Sequence, residues 1–315
     1  MPTPHVDDGD VLVRVKACGI CGSDVHGYDG STGRRVPPIV MGHEASGVVE
    51  RVGRAVSGVR TGDRVTFDST VSCGDCASCR RGEVNLCDRR MVLGVSCADY
   101  RRHGAFAEYL SVPSRIVYAL PDAVPFEHAA LIEPLSVAVH AVGRKPPRPQ
   151  DAVVVIGCGV IGLLVIQVLR ARGCRSVTAV DIDEGRLAMA GRFGATRGTL
   201  ESSAPAFDLA IEAVGRPETV AAAIRCVRKG GAVTLVGNVT PRVDLPLQDV
   251  VTREISLFGS CASSGEYAQA IELMAGGAVD VGTLISATAP LEDGPAWFDR
   301  LYRREPGLVK VVLRP

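Results

Sequence analysis

A short apolar run, followed by three spaced glycines and a long apolar segment, constrains the fold more than any other feature of the chain. Residues 152–156 are apolar and mostly β-branched, which is typical of a strand buried on both faces. Residues 161–169 continue the apolar pattern at helical length, with no breaker after Gly162. The stretch therefore predicts a strand, a tight turn and a helix.

The turn has the G-x-G-x-x-G spacing of a dinucleotide-binding loop. Gly157 permits the sharp turn, Gly159 lets the backbone approach a pyrophosphate, and Gly162 lets the helix pack closely on the strand. The phosphates then lie at the helix N-terminus, where Val160 and Ile161 begin the helix. The alternative is an ordinary glycine-rich turn that binds nothing.

The next predicted strand favours the cofactor interpretation. Residues 176–180 lead into Asp181, nineteen positions after Gly162. This is close to the roughly 20 positions expected for the acidic residue that accepts the ribose hydroxyls of NAD. Taken alone, Asp181 is equally typical of a turn at a strand end.

The composition excludes several classes of protein. The 315 residues suffice for two domains, since single cores stop growing at roughly 250–300 residues. Thirty-five basic and thirty-five acidic residues give no electrostatic reason to expect nucleic acid or an anionic membrane as a partner. The longest apolar run, residues 152–166, is broken by glycines and is shorter than the roughly 20 residues that span a bilayer. Residues 1–10 are polar and do not read as a signal peptide, so we expect a cytoplasmic protein.

The eleven cysteines indicate metal ligands and buried thiols instead of disulfides, because their number is odd and no secretion signal is seen. Cys73, Cys76, Cys79 and Cys87 are spaced x2, x2 and x7 in a polar loop. Four thiolates satisfy Zn²⁺ completely, so this spacing predicts a closed structural zinc site. An iron–sulfur cluster is the alternative, but the chain lacks the fourth cysteine at x3, followed by proline, of a ferredoxin run.

A second metal-capable group lies nearer the start of the chain. A predicted half-buried strand at residues 10–17 leads into Cys18 and Cys21, and His43 and Glu44 follow further on. Thiolate, imidazole and carboxylate are the ligand types of a catalytic zinc, which keeps one position open for water or substrate. A redox pair of the two cysteines is disfavoured because no thioredoxin-like pattern surrounds it. Taken singly, His43 is also typical of a hydrogen-bonded structural histidine.

Together these motifs resemble the zinc-dependent medium-chain dehydrogenase/reductase family, also called the alcohol dehydrogenase superfamily. The resemblance covers nearly the whole chain and is carried by residues 19–24, 42–44, 73–87, 104–110, 133–138 and 157–162. It implies an α/β fold, with a GroES-like β-rich catalytic domain at residues 1–141, completed by residues 262–315, and a Rossmann NAD-binding domain at residues 142–261. It also implies an active site in the cleft between them.

Within that family, the sequence around Glu133 resembles the polyol dehydrogenase branch. Glu133 stands at the position where ethanol-type enzymes carry a third ligand cysteine. The resemblance implies Cys21, His43 and Glu44 as ligands of a catalytic zinc, with Glu133 near the metal or on its bound water. Whether Glu44 or Glu133 is the carboxylate ligand stays open.

The resemblance also implies a proton path and further cofactor contacts. Ser23 matches the hydroxyl that takes the proton of the zinc-bound alcohol, and His26 matches the histidine that passes it on to solvent after the nicotinamide ribose. The alternatives are a helix N-cap and a surface histidine. Val236, Gly237 and Gly259 match positions that line the nicotinamide side. Arg186 matches a position near the adenosine ribose, and its alternative is a solvated charge on a helix.

The implied reaction is NAD-dependent oxidation of a secondary alcohol in a polyol, sugar, sugar phosphate or cyclitol, or the reverse reduction. The alternatives are a zinc-free enoyl or quinone reductase of the same fold and a non-catalytic structural or sensing relative. We expect a homodimer or homotetramer that acts on a small molecule.

Two departures from the family pattern concern the frame of the fold. Family members start earlier, with a strand that pairs into the first domain, which leaves open a missing edge strand, a misassigned start or a trimmed chain. The connection at residues 195–207 is also too short for the helix usually found there.

Overall fold

The structure is a computed structural model that describes residues 2–199 and 205–315. Its strands are β1 Asp10–Gly19, β2 Glu44–Val52, β3 Arg64–Phe67, β4 Thr70–Val71, β5 Met91–Val92, β6 Val95–Ser96, β7 Arg101–Arg102, β8 Tyr109–Pro113, β9 Val117–Ala119, β10 Ala152–Ile156, β11 Ser176–Val180, β12 Thr196–Arg197, β13 Phe207–Glu212, β14 Val227–Leu235, β15 Ser256–Gly259, β16 Ile285–Pro290 and β17 Lys310–Arg314. Its α-helices are α1 Gly22–Gly27, α2 Ala77–Arg80, α3 Phe126–Ala129, α4 Ile132–Arg144, α5 Val160–Ala171, α6 Glu184–Arg192, α7 Pro217–Cys226, α8 Leu247–Thr252, α9 Tyr267–Ala275 and α10 Gly294–Tyr302.

The chain forms two compact units. The first contains Met1–Glu133, Tyr267–Ala275 and Val281–Pro315, and the second contains Pro134–Glu266 and Gly276–Asp280. The sequence places the boundaries at 141/142 and 261/262, whereas the units divide at 133/134 and 266/267. A short piece of chain after α9 also belongs to the second unit.

The first unit is built on a mostly antiparallel sheet with β1 at its centre. Its strands run in the order β16-β17-β1-β2-β3-β9, and β8 also pairs with β1. The alternation at residues 10–17 predicts a half-buried strand, but Leu12 is buried as well as Val11, Val13 and Val15. The difference arises because β1 lies in the middle of this sheet and α3 packs against β1 and β2.

Strand register in this sheet brings three strand ends together. Gly19, the last residue of β1, pairs with Glu44 at the start of β2 and with Val312 of β17 on the other side. Because both pairings are antiparallel, Lys310 at the start of β17 also lies near this end of β1. Two distant parts of the sequence therefore meet just before Cys21.

The second unit is a parallel sheet in the order β12-β11-β10-β13-β14-β15. This is the strand order 3-2-1-4-5-6 of a doubly wound dinucleotide-binding fold, as the sequence predicts. The central strand β10 is buried from Val153 to Ile156, which agrees with its β-branched run. The short connection at residues 195–207 falls partly on residues 200–204, which lie outside the described residues.

Membrane insertion through a helix finds no support in the described part of the chain. None of its helices combines the length and the apolar character needed to cross a bilayer.

Candidate functional site

The structure brings together the four cysteines of the predicted structural zinc site. The Cys76 thiol caps α2 by accepting a hydrogen bond from the Cys79 N–H, and the Cys87 thiol accepts one from the Cys73 N–H at 3.2 Å. The four Sγ atoms lie within 4.8 Å of one another, and those of Cys73 and Cys79 are 3.8 Å apart. Zn–S bonds of about 2.3 Å imply tetrahedral S–S distances of about 3.8 Å, so this donor set fits zinc.

The electrostatics of this loop also suit a bound cation. Backbone N–H groups of Cys79 and Asp88 lower the pKa of the Cys76 thiol to about 6. Burial, together with the neighbouring thiol groups, raises the pKa of Cys79 to about 11. Thiolates this close repel one another, and a divalent cation between them removes that repulsion. None of the eleven cysteines forms a disulfide.

The second metal-capable group, Cys21, His43 and Glu44, lies where the three strand ends meet. One ligand atom from each side chain lies within 4.8 Å of the other two. Gly19 is required beside them, because a Cβ atom at this position would collide with Glu44 Oε2. His43 and Glu44 are buried, whereas Cys21 is half-buried. A soft thiolate, an imidazole and a carboxylate at this spacing form a donor set that fits zinc.

Asp24, fully buried in α1, connects two of these candidate ligands. Its Oδ2 accepts a hydrogen bond from the Cys21 N–H at 3.3 Å, and its Oδ1 lies 3.5 Å from His43 Nδ1. The same Oδ1 accepts a hydrogen bond from Arg35 Nη2 at 2.9 Å. Burial by itself raises the pKa of Asp24, but His43 and Arg35 outweigh it and lower the pKa below its ordinary value. Asp24 is thus held as a carboxylate.

The surroundings of His43 favour positive charge at the imidazole. Burial lowers the pKa of His43, but the charges of Asp24 and Cys21 raise it well above its ordinary value. Because Nδ1 faces Asp24, the other ring nitrogen, Nε2, is the one left to bind a metal.

Glu44 forms a buried ion pair with Lys310. Lys310 Nζ lies 2.6 Å from Glu44 Oε2 and donates a second hydrogen bond to the Ile20 carbonyl at 3.0 Å. Both charged side chains are almost fully buried. The pKa of Lys310 is lowered by burial and raised by Glu44 and Cys21, with a net rise. One carboxylate oxygen of Glu44, Oε2, is therefore engaged by Lys310.

Glu133 lies in the first turn of α4, outside the group whose ligand atoms are mutually close. Its Oε1 accepts a hydrogen bond from Ser69 Oγ at 2.9 Å, and the Ser69 N–H donates to Tyr267 Oη at 3.3 Å. Burial and the charge of Glu44 raise the pKa of Glu133, while His43 and Ser69 act in the opposite direction. The net effect is a raised pKa for Glu133, and its carboxylate is not one of the three mutually close ligand groups.

The two predicted proton-transfer residues share one face of α1. Ser23 and His26 are three positions apart, which puts them on neighbouring turns, and both are exposed. Ser23 Oγ lies 3.5 Å from Arg35 Nη2. This arrangement gives a hydroxyl next to the candidate ligand Cys21 and an imidazole toward solvent.

The glycine turn of the second unit has the conformation that a phosphate loop needs. Gly157 has φ = +93°, and a Cβ atom on Gly162 would collide with the Gly157 carbonyl. Gly159 caps α5 and has open space where its Cβ would be, which leaves room for a ligand to approach the backbone. Val160 and Ile161 form the first turn of α5, so the turn fits a pyrophosphate.

Asp181 follows β11 directly and faces this turn. Its Oδ2 accepts a hydrogen bond from the Cys158 N–H at 2.6 Å, and its Oδ1 accepts one from the Asp183 N–H at 2.9 Å. Asp183 in turn caps α6 through the Arg186 N–H at 3.0 Å, which places Arg186 in the first turn of that helix.

The other predicted cofactor residues lie at the carboxyl ends of neighbouring parallel strands. Val236 and Gly237 follow β14, and both donate N–H hydrogen bonds to the Glu212 carbonyl. Gly259 ends β15, and its carbonyl accepts a hydrogen bond from Arg144. Ligands bind at this edge of open α/β sheets, which agrees with the predicted positions.

Sequence reasoning missed several residues of these sites. Lys310, Arg35 and Ser69 contact candidate ligands or their partners, and the buried Glu212 carboxylate accepts hydrogen bonds from the Val214 and Gly215 N–H groups. A lysine inside the apolar strand β17 is a signal that points to a buried ion pair. Arg35, Ser69 and Glu212 have no comparable signal in the sequence.

Comparisons with known proteins agree with this geometry. Residues 7–122 match the family model described as alcohol dehydrogenase GroES-like domain, and residues 160–276 match the model described as zinc-binding dehydrogenase. Sorbitol dehydrogenase of Bacillus subtilis is 32% identical over 331 residues, covering 100% of this chain and 93% of that protein.

Two solved structures illustrate the similarity in fold. Galactitol-1-phosphate dehydrogenase of Escherichia coli has a TM-score of 0.91 and 30% identity, over 100% of this chain and 95% of the other. A protein of Sinorhizobium meliloti 1021 bound to NADP has a TM-score of 0.91 and 32% identity, over 100% and 94%. With these similarities along its whole length, the chain belongs to the zinc-dependent medium-chain dehydrogenases, and within them it is polyol dehydrogenase-like.

Proposed function

We propose that the chain is a zinc- and NAD-dependent dehydrogenase that oxidises a secondary alcohol of a polyol, sugar, sugar phosphate or cyclitol to the ketone, reversibly. The observation that carries the proposal is the grouping of Cys21, His43 and Glu44, with one ligand atom of each within 4.8 Å of the others. A zinc-free enoyl or quinone reductase has no use for this donor set. The similarity to sorbitol and galactitol-1-phosphate dehydrogenases supports the substrate class.

Cys21, His43 and Glu44 would hold the catalytic zinc, and Cys73, Cys76, Cys79 and Cys87 would hold the structural one. Glu44 is preferred to Glu133 as the carboxylate ligand, because Glu44 and not Glu133 belongs to the group whose ligand atoms lie within 4.8 Å of one another among the described residues. Glu133, oriented by Ser69, would then face the bound substrate or water. A zinc ion held there would lower the pKa of the substrate alcohol, and a bound nicotinamide cofactor would supply the hydride acceptor.

Ser23 and His26 are the proposed residues that transfer the proton of the substrate hydroxyl to solvent. Ser23 accepts the proton from the substrate hydroxyl through its Oγ and passes on its own proton. His26, on the next turn of α1, receives a proton in this relay and exchanges it with solvent. Asp24 keeps His43 oriented meanwhile, because its carboxylate faces Nδ1.

Efficiency should rise as hydroxyls are added beside the reacting carbon. Two neighbouring oxygens can chelate the metal where the Glu133 carboxylate stands in place of a third fixed thiolate ligand. The measurement is kcat/KM on a matched series from propan-2-ol through vicinal diols to tetritols, hexitols and cyclitols. An enone and a quinone, tested with reduced cofactor, serve as controls. If kcat/KM did not rise along the series, the polyol assignment would be wrong. Turnover of the enone or quinone alone would favour the reductase.

We propose NAD as the cofactor because of Asp181. A carboxylate there accepts the ribose hydroxyls and repels a 2′-phosphate. The NADP-bound neighbour means that family membership leaves this choice open, so the proposal rests on Asp181 itself.

We expect kcat/KM to favour NAD over NADP by about 100-fold or more, since a like-charge contact costs several kcal/mol. Asp181→Ser should remove most of that preference, whereas Asp244→Asn, at an exposed acid of the same unit, should leave it unchanged. Equal efficiency with the two cofactors in the unaltered protein would exclude Asp181 from this role.

A homo-oligomer is the proposed assembly. The strand β15 forms an open edge of the parallel sheet, and the preceding helix α8 carries Leu247 and Val251, which are 63% and 64% exposed. Exposed apolar side chains beside an open strand support association with a second copy.

A further inference from the structure

We propose that Arg35 is a positioning residue of the catalytic zinc site, which fixes Asp24 against His43 and keeps Ser23 in place. This inference rests on the proposed function for the identity of the site. It concerns a residue that contacts no candidate ligand directly, but contacts the groups that orient them.

The first observation concerns the hydrogen bonds that the Arg35 guanidinium donates. Its Nη2 donates to Asp24 Oδ1 at 2.9 Å and lies 3.5 Å from Ser23 Oγ, while its Nη1 donates to the Arg34 carbonyl at 3.0 Å. The side chain is only 6% exposed and packs against Gly27, where a Cβ atom would collide with Arg35 Cγ. The guanidinium is therefore fixed in one place.

The second observation concerns the other contacts of the Asp24 carboxylate. The oxygen that binds Arg35 also lies 3.5 Å from His43 Nδ1, and the other oxygen accepts from the Cys21 N–H. Without Arg35, the buried Asp24 carboxylate loses its permanently charged partner, and only the Cys21 N–H and His43 are left to hold its orientation. Arg35 thus orients, through one carboxylate, both a metal-binding imidazole and the backbone of a metal-binding thiolate.

The third observation is charge balance around the site. Asp24 and Glu44 bring two carboxylates into buried positions beside the half-buried Cys21. Arg35 pairs with Asp24 and Lys310 pairs with Glu44, and both cations are buried as well. Each of these two buried carboxylates thus has its own buried cation, and Arg35 is the one that belongs to Asp24.

Packing alone does not account for an arginine at this position. Arg35 Nε is buried and has no hydrogen-bond partner among the described residues. An apolar side chain of similar volume would fill the space without that cost. The benefit that offsets it is the fixed orientation of Asp24.

The test compares three variants: Arg35→Gln, which removes the charge, Arg35→Lys, which keeps the charge without the planar fork, and Arg34→Gln, a control at the exposed neighbour. The first readout is the rate at which a chelator removes each of the two zinc ions. We expect Arg35→Gln to lose the zinc of the Cys21 site about 10- to 100-fold faster, with unchanged retention at the four-cysteine site. Arg35→Lys should fall between Arg35→Gln and the unaltered protein, and Arg34→Gln should match the latter.

The second readout is the visible spectrum with Co²⁺ in place of zinc, which reports ligand geometry. We expect a shifted spectrum in Arg35→Gln, along with a lower kcat and an unchanged KM for NAD. Equal loss of both zinc ions, or retention and spectrum identical to the unaltered protein, would overturn the proposal. If Arg35→Gln does not fold, Arg35→Lys decides by the same criteria. Absence of polyol oxidation in the unaltered protein would instead count against the proposed function, since chelation and spectra need no substrate.

Discussion

Replacing Cys21 with alanine is expected to lower kcat by at least about 1,000-fold, because a bound metal supplies several kcal/mol of stabilisation to the reacting oxygen. The thiolate is one of the three candidate ligands grouped there in the described part of the chain. Its loss should also leave one zinc ion per chain in place of two. Steady-state kinetics and elemental analysis of the same preparation measure both effects.

The matched control is Cys97→Ala, at a half-buried cysteine that belongs to neither metal-capable group. This variant should keep both zinc ions and near-normal turnover. Full activity in the Cys21→Ala variant would show that the chemistry does not depend on this site, whatever the zinc content.

Replacing Cys76 with serine should damage stability far more than chemistry. A structural zinc site contributes apparent binding free energies of about 10–16 kcal/mol in small zinc-dependent domains, and loss of one thiolate forfeits a large part of this. The Cys76 thiol also caps α2. We expect apparent stability in urea to fall by more than about 5 kcal/mol and the zinc of this loop to be lost.

The control for this variant is Cys261→Ser, at an exposed cysteine outside both groups. It should unfold at the same urea concentration as the unaltered protein. A Cys76→Ser variant that loses its zinc and yet unfolds like the control would show that this loop is not held by metal.

The parts of the sites that could be predicted from the sequence are those set by short-range spacing. Gly157 and Gly162 lie five positions apart, so the turn they form is a local property. The four cysteines fall within fifteen consecutive residues, and a loop that short brings its ligands together with few alternatives.

The partners of the catalytic ligands could not be predicted because tertiary structure brings them in. Glu44 and Lys310 are separated by 266 positions and meet only through the register of β1 between β2 and β17. Arg35 reaches Asp24 across a loop with no periodic pattern. Ser69, in the connection between β3 and β4, reaches Glu133 in α4, 64 positions away. The sequence also left Glu44 and Glu133 equivalent, and the preference for Glu44 comes from its place beside Cys21 and His43 in the folded chain.

We expect hydride to pass from a secondary carbon of a polyol to NAD⁺, and we expect this transfer to depend on the Cys21 site. A hexitol deuterated only at its secondary carbons, with mass spectrometry of the NADH formed, measures this transfer. The unaltered protein should give NADH that carries deuterium, and Cys21→Ala should give no NADH. NADH without deuterium, or equal deuterium transfer by Cys21→Ala, would contradict this expectation.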